Sequence, residues 1–564
     1  MRLAFLRNIT VEPIVPFLEE DGDAVNEYYF SDYDNILQEA VNQSSGLYEF
    51  NPEVILIFLD LRVKSPDLVY NFAGLSNDLK ETRKAEVLGF VDSTLAELRK
   101  RTNAMVLFHA FEEPLYPAFG VYDYQVQDTQ LNYVRELNRE LMATVRNFKN
   151  CFLVDLNIIA ARLGHKNFFD PRYWHIARAP FSKAAYKELA REYRKYFNAV
   201  SGKSKKCLIL DCDNVLWGGI LGEDGVGGIK IGRSFPGSAY WELQQAILDY
   251  FNTGVLLAIC SKNNEEDVLE VLDKHPDMVL RREHFVSWRI NWNNKAQNIR
   301  EIVTDLNIGL DSVVFVDDSE AEIELVSREL PEVTTLLLKG DPVEFSESLR
   351  SCGYFDRLSI TEEDRQKTHM YRADRLRKER LSREVNIEDY YKALEMELKI
   401  CMADDFSISR IAQLTQKTNQ FNLTTKRYTE ADIQGFIESA DHDVIFARLK
   451  DKFGDNGIIA VVILLYDRHD CVIDTFLMSC RVIGRGIENV ILQACIKRAR
   501  DRGCSMMKAS FVPTQKNSQV RDFYARNSFT LVRDGVQRDF ELTLSGDNLE
   551  IGTKYFKSVE VNLS

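Results

Sequence analysis

The sequence predicts an α/β chain in three units: an α/β unit at residues 1–200, a central parallel-sheet unit at 201–355, and an α+β unit at 393–564. A helical linker at 356–392 joins the last two. Three observations carry this reading. Short apolar runs alternate with longer charged segments of helical period, the pattern of parallel strands buried between helices. Several of those runs end in Asp, Ser or Gly, which stop a strand and can carry chemistry. Composition also shifts twice, at the polar and basic Ser201–Lys206 and at Thr361 to Asn386, which is dense in Arg, Glu and Lys without Gly or Pro.

In the first unit, Val54 to Leu59, Ala104 to Phe108 and Cys151 to Val154 are predicted strands. In the central unit, Cys207 to Leu210, Val255 to Cys260 and Ser312 to Val316 are, with a helix from Ser238 to Asn252. In the last unit a strand at Val472 to Met478 precedes an amphipathic helix at Ile487 to Arg500.

Composition narrows the function classes. The 564 residues are 45% hydrophobic and 28% charged, as in soluble globular proteins. A net charge of −15, with no basic stripe carrying aromatics, argues against nucleic-acid binding. Ten cysteines without a Cys-x-x-Cys pair and eight scattered histidines argue against structural zinc or a disulfide framework. Met1 to Leu6 is too short for a signal peptide before Arg7 and Asn8 interrupt it, and no apolar stretch is long enough to insert in a bilayer. A cytoplasmic protein is expected.

The chemistry concentrates in the central unit. Asp211 and Asp213 leave the end of the first predicted strand, where open α/β sheets place their sites. Ser261 ends the second strand, followed by Lys262 and Asn263. Lys295 stands at the mouth of a predicted helix, and the third strand delivers Asp317 and Asp318. Together they make a nucleophile, phosphoryl-oxygen donors, a compensating cation and acids for a divalent metal.

Asp-x-Asp, Ser, Lys and Asp-Asp in that order resemble the haloacid dehalogenase (HAD) superfamily of Rossmann-like phosphatases. The run Asp211-Cys212-Asp213-Asn214, with Leu216-Trp217-Gly218-Gly219 and Gly222-Glu223-Asp224-Gly225, resembles its FkbH-like branch more narrowly. Gln416 to Thr425 and Ser479 to Gly486 agree, so the resemblance covers about the last two-thirds of the chain. Where that branch reads Asp-Asp-Asn-Pro, this chain has Asp317-Asp318-Ser319-Glu320. The resemblance implies that Asp211 attacks phosphorus and Asp213 shuttles the proton. It implies that Ser261, Lys262, Asn263 and Lys295 hold phosphate, and that Asp211, Asp213, Asp317 and Asp318 hold Mg²⁺. The short spacing from Asp213 to Ser261 and from Ser261 to Lys295 leaves no room for an inserted lid domain.

The first unit's α/β pattern and Phe169-Asp170-Pro171-Arg172-Tyr173-Trp174-His175 resemble SGNH hydrolases. The serine expected after the first strand is missing, where Arg7-Asn8-Ile9-Thr10 stands, so a degenerate domain is expected. In the last unit, strand, Arg481-x-x-Gly484-Arg485-Gly486 and helix resemble the GNAT acyltransferases, which implies a turn binding the pyrophosphate of coenzyme A or of a carrier's pantetheine. Gly309-Leu310-Asp311-Ser312-Val313 mimics a carrier protein's phosphopantetheine motif, but it runs directly into a strand, so any acyl carrier protein acts in trans. Two cysteines can be weighed as acyl acceptors. Cys212 lies between two acids, which raise a thiol pKa, whereas Cys480 precedes Arg481 and the glycine turn.

The FkbH-like resemblance implies phosphatase chemistry coupled to glyceryl transfer from 1,3-bisphosphoglycerate to a carrier-protein thiol, in a polyketide or glycan pathway. Two alternatives stay open. One is a plain phosphatase of a sugar or acyl phosphate whose GNAT-like unit recognises substrate. The other is an acyl-coenzyme A transferase with a vestigial phosphatase.

Overall fold

A computed structural model describes residues 1–20, 27–361, 364, 370, 371, 373, 377, 391–544 and 554–563. The linker helix expected at 356–392 falls for the most part outside the described residues. The chain divides into two compact units, Met1–Arg194 with Glu430–Asp432, and Lys195–Thr429 with Ile433–Ser564. Each is described by itself.

The first unit holds a five-stranded sheet: β1 (Arg2–Arg7), β2 (Glu27–Phe30), β3 (Val54–Phe58), β4 (Met105–His109) and β5 (Cys151–Val154), in the order β2-β1-β3-β4-β5. All its pairings are parallel. β3 and β4 are fully buried, because helices cover both faces, which explains their unbroken apolar sequence. Helices α1 (Asn77–Arg99) and α2 (Gln130–Arg146) turn Val87, Val91, Leu95, Leu137 and Leu141 into that core.

The second unit contains two sheets. The first runs β10-β9-β6-β7-β8, with β6 (Cys207–Leu210), β7 (Leu256–Ser261), β8 (Phe285–Ile290), β9 (Val313–Asp317) and β10 (Thr334–Leu337), all parallel. The period of two is visible across β6. Leu208, Leu210 and Cys212 join the core under α3 (Gly237–Asn252), while Cys207 and Ile209 join the core under α4 (Lys295–Leu306).

The other is a nine-stranded mixed sheet: β11 (Met396–Met402), β12 (Phe421–Asn422), β13 (His442–Asp451), β14 (Gly454–Asp467), β15 (Asp470–Met478), β16 (Met506–Phe511), β17 (Thr530–Arg533), β18 (Arg538–Thr543) and β19 (Phe556–Asn562). Its β15–β16 pair is parallel, and α5 (Ile487–Asp501) connects those two strands. No helix among the described residues is long and apolar enough to cross a membrane.

Candidate functional site

The site is built at the carboxyl ends of β6, β7 and β9. Asp211 follows β6, and its N–H continues the ladder to Val316 O at 3.0 Å. The chain then folds into a tight turn in which Cys212 O accepts from Leu216 N at 2.8 Å and Asn214 takes a left-handed φ of 54°. Gly219 closes the turn at φ 98°, and a Cβ there would stand 2.4 Å from Asp224 Oδ2. That oxygen already caps the Ile220 N–H at 2.9 Å, so only glycine fits.

Lys295 opens α4, whose N-cap Asn294 accepts from Ala296 N at 2.7 Å. Its buried ammonium lies 3.0 Å from Asp211 Oδ2 and 2.6 Å from Asp317 Oδ2. Burial alone would lower this amine's pKa, but the two carboxylates raise it above the ordinary value. Asp317 is pushed up to about 6 by burial and then by Asp211, and Asp318 is raised for the same reasons.

Carboxylate oxygens of Asp211, Asp317 and Asp318 lie within 4.8 Å of one another. Asp211 Oδ1 is buried with no hydrogen-bond donor among the described residues. An all-oxygen set with an orphaned carboxylate oxygen fits a hard divalent cation such as Mg²⁺. Ser319 begins the helix Glu320–Glu329 as its N-cap, accepting from Glu322 N, and so serves in place of the missing proline. Its own N–H donates to Asp317 Oδ1 at 2.9 Å.

Asp213 is held apart from this cluster. Its Oδ1 accepts from Trp217 Nε1 at 2.9 Å and from Leu221 N at 3.1 Å, and its Oδ2 accepts from Asn263 Nδ2 at 2.9 Å. Burial raises its pKa, and those donors oppose the rise. Asn263, expected to face phosphate, therefore orients a carboxylate. Lys262 pairs with Glu322 at 2.6 Å, while Ser261 is buried beside the Cys212 thiol. Sequence reasoning gave Trp217 no role. Its signal was the spacing of four residues from Asp213 across a glycine-closed turn.

Cys212 is fully buried, and burial followed by the Asp211 charge pushes its thiol well up. Cys480 is half-buried, and its carbonyl accepts from Asn307 Nδ2 at 2.6 Å. Gly484 and Gly486 have φ values of 82° and 77°, with open space where a Cβ would stand, and Gly484 O accepts from the Tyr391 hydroxyl. Arg481 and Arg485 are turned inward. Arg481 reaches Met370 Sδ at 2.7 Å and Asn456 O at 3.4 Å, and Arg485 lies 3.6 Å from buried Asp451. The turn therefore offers backbone N–H groups, with both guanidinium groups engaged inside the fold.

In the first unit, the Thr10 hydroxyl donates to Ala177 O at 2.6 Å. Asp170 caps the helix Pro171–Ala177 through Arg172 N and Tyr173 N at 3.0 and 3.2 Å, and His175 is exposed. None of these contacts joins them into a triad.

The family described as FkbH, N-terminal domain, matches residues 23–192, the part that the motifs had left outside the resemblance. Among solved structures, the chain is similar to the N-terminal part of the protein BF1531 from Bacteroides fragilis, which contains a phosphatase domain and is complexed with Mg. Identity is 30% over 64% of this chain and 95% of that chain, with a TM-score of 0.58. The ribosomal-protein-S18-alanine N-acetyltransferase from Escherichia coli is matched at 11% identity over 27% of this chain and 99% of that one, with a TM-score of 0.22. The GNAT domain of S. lividans PAT is matched at 16% identity over 26% and 89%, also with a TM-score of 0.22. No curated protein matches the chain.

Proposed function

From a chain that belongs to the FkbH-like family of phosphatase-domain proteins, we propose a Mg²⁺-dependent phosphohydrolase centre coupled to acyl transfer. The observation that carries it is the buried, donorless Asp211 Oδ1 beside Asp317, Asp318 and the Lys295 ammonium. Asp211, Asp317 and Asp318, with the Asp213 backbone carbonyl, would hold Mg²⁺, which supplies charge compensation for the phosphoryl oxygens. Asp211 attacks phosphorus and forms an aspartyl-phosphate. Asp213 gives its proton to the leaving oxygen, then takes one from the water that releases phosphate. Its raised pKa suits the first step, and its three donors hold the carboxylate for the second. Lys295 and Ser261 would offset the phosphoryl charge.

Trp217→Phe keeps an aromatic ring, though a smaller one, and removes one of those donors. It should lower kcat roughly tenfold, the worth of one hydrogen bond to a charged group. It should also move the Asp213 limb of the pH–rate profile upward, because that donor favours the charged form. A profile unchanged in position would remove Trp217 from this role.

The finer reading is glyceryl transfer. A thiolate attacks the acyl carbon of 1,3-bisphosphoglycerate and expels the 1-phosphate as inorganic phosphate, leaving a 3-phosphoglyceryl thioester. The 3-phosphoryl group passes to Asp211 and then to water, and the glyceryl group is exchanged onto the thiol of an acyl carrier protein supplied in trans. Cys480 is the less buried thiol, since burial and two carboxylates hold Cys212 protonated. It stands beside Asn307, at the opposite end of α4 from Lys295, so the glyceryl group would have to be carried between it and Asp211. Between β6 and β7 the chain has only the glycine-closed turn, a short helix and α3, and the loops at this edge expose Ile220, Phe235 and Trp292. An open edge of this kind suits a macromolecular acceptor. The inward arginines favour the second reading, a plain phosphatase whose C-terminal sheet recognises substrate.

Intact-mass spectrometry after incubation with Mg²⁺ and fresh 1,3-bisphosphoglycerate separates the two. A hydroxylamine-labile glyceryl adduct, present in Cys212→Ala and lost in Cys480→Ala, is the expected result. Phosphate release with no adduct and no loading of a supplied carrier would leave the plain phosphatase.

A further inference from the structure

The N-terminal unit carries a cleft of about 230 Å³ that the phosphatase reading does not use. It opens at the carboxyl ends of β1, β3 and β4, the edge at which open parallel sheets bind ligands. The strand order reverses there, with β2 on one side of β1 and β3 on the other. Its walls are mainly apolar, formed by Ile9, Phe58, Leu68, Phe111, Phe169 and Phe181. Packed interiors keep few voids of this size, because the atoms lining a void lose contacts.

Most polar groups in the cleft are already committed. Asp60 accepts from Arg62 N at 2.8 Å and holds the Arg62 guanidinium at 2.6 Å, while that guanidinium lies 4.0 Å from the Trp174 ring. His109 bonds Ile57 O at 2.8 Å and Tyr193 Oη at 2.6 Å, and burial lowers its pKa to about 4. Gln130 donates to Leu68 O and Val69 O at 2.9 and 3.1 Å. Glu112 differs. Arg62 stands 3.5 Å from its carboxyl and His165 Nε2 3.9 Å, but no donor makes a hydrogen bond to it among the described residues. Burial, and then the Asp60 charge, push it up to about 7. His165 Nε2 is itself buried and makes no hydrogen bond among the described residues. The Glu112 side chain is 30% exposed, at the mouth of the cleft, so its carboxyl keeps acceptor capacity that a ligand's donor can use.

We propose that this cleft binds a small apolar molecule headed by a hydroxyl or an amine, which donates to Glu112 while its body lies among Phe58, Phe169 and Phe181. An anionic head does not fit, since Asp60 already neutralises Arg62 and Glu112 would repel it. No Ser, Thr or Cys lines the cleft, and the Thr10 hydroxyl donates to Ala177 O, so no hydroxyl or thiol nucleophile faces a bound molecule. The volume suits a ring with a short arm, below the usual range for drug-sized ligands.

Saturation-transfer NMR on the full chain tests this with benzylamine, benzyl alcohol, benzoate and toluene. Benzylamine or benzyl alcohol should bind, and whichever is tighter identifies the head group, while benzoate should not bind. Glu112→Met should weaken the tighter ligand at least tenfold, the worth of a hydrogen bond to a charged or half-charged carboxyl. Leu68→Trp should fill the cleft and abolish binding. Phosphate release should be unchanged in Glu112→Met, which keeps this result separate from the phosphatase reading. Failure of both donors to bind at millimolar concentration would overturn the proposal. So would toluene or benzoate binding as tightly as they do, or undiminished binding in Glu112→Met.

Discussion

Replacing Asp211 by Asn should lower phosphate release in Mg²⁺ by at least about a thousandfold while leaving the protein folded. Losing a nucleophile outright costs roughly 10³ to 10⁶ in kcat, and an amide oxygen cannot form the aspartyl-phosphate. The substitution is nearly isosteric and keeps the Lys295–Asp317 contact of 2.6 Å. It also removes the charge that helps to raise Asp317. The thermal midpoint of the metal-free protein should therefore hold or rise as activity disappears, so the loss cannot be assigned to unfolding. Phosphate release at the wild-type rate would overturn the role given to Asp211.

That this residue could be read from sequence follows from where β6 sits. A strand buried on both faces is an unbroken apolar run, so its end is marked sharply by the first carboxylate. The same holds for β3, β4 and β9, whose predicted limits fall within a residue of those observed. Two of the edge strands, unlike β5, leave no such mark. β2 is exposed or half-buried throughout, and β10 is half-buried along its length; each spans four residues with only a short apolar run, and neither was predicted.

Side-chain direction at the turns was not legible, because it depends on distant partners. Asn263 reaches Asp213, fifty positions away, and Lys262 reaches Glu322, sixty positions away. The GNAT resemblance implied a coenzyme A or pantetheine role for Arg485, yet buried Asp451 stands 3.6 Å from it. In the first unit Thr10 serves as a strut to Ala177 O and Asp170 as a helix cap. Glu112 and His165, which pair at 3.9 Å at the cleft, carry no motif at all.

Lys295→Met should destabilise the metal-free protein by about 3–5 kcal/mol at pH 8, the cost of removing one partner from a buried ion pair. The ammonium lies within 3.0 Å of both Asp211 and Asp317, and in its absence the two carboxylates face each other without a cation. The sign of the pH dependence follows from Asp317, which already stands at about 6 through burial and the Asp211 charge. A carboxyl whose folded pKa lies above its unfolded value favours folding at low pH, and that advantage is lost as the pH rises through the folded value. Without Lys295 the folded value climbs further. The deficit relative to wild type should therefore be small at pH 5 and complete by pH 8. Millimolar Mg²⁺ should recover most of it, since a divalent cation among Asp211, Asp317 and Asp318 supplies the missing positive charge. Wild type should gain less from Mg²⁺, because its lysine already compensates two of those carboxylates. Denaturant unfolding of both proteins at pH 5 and pH 8, with and without Mg²⁺, measures all four corners. A deficit independent of pH and untouched by Mg²⁺ would mean that Lys295 only fills space, and that the three acids do not form a metal site.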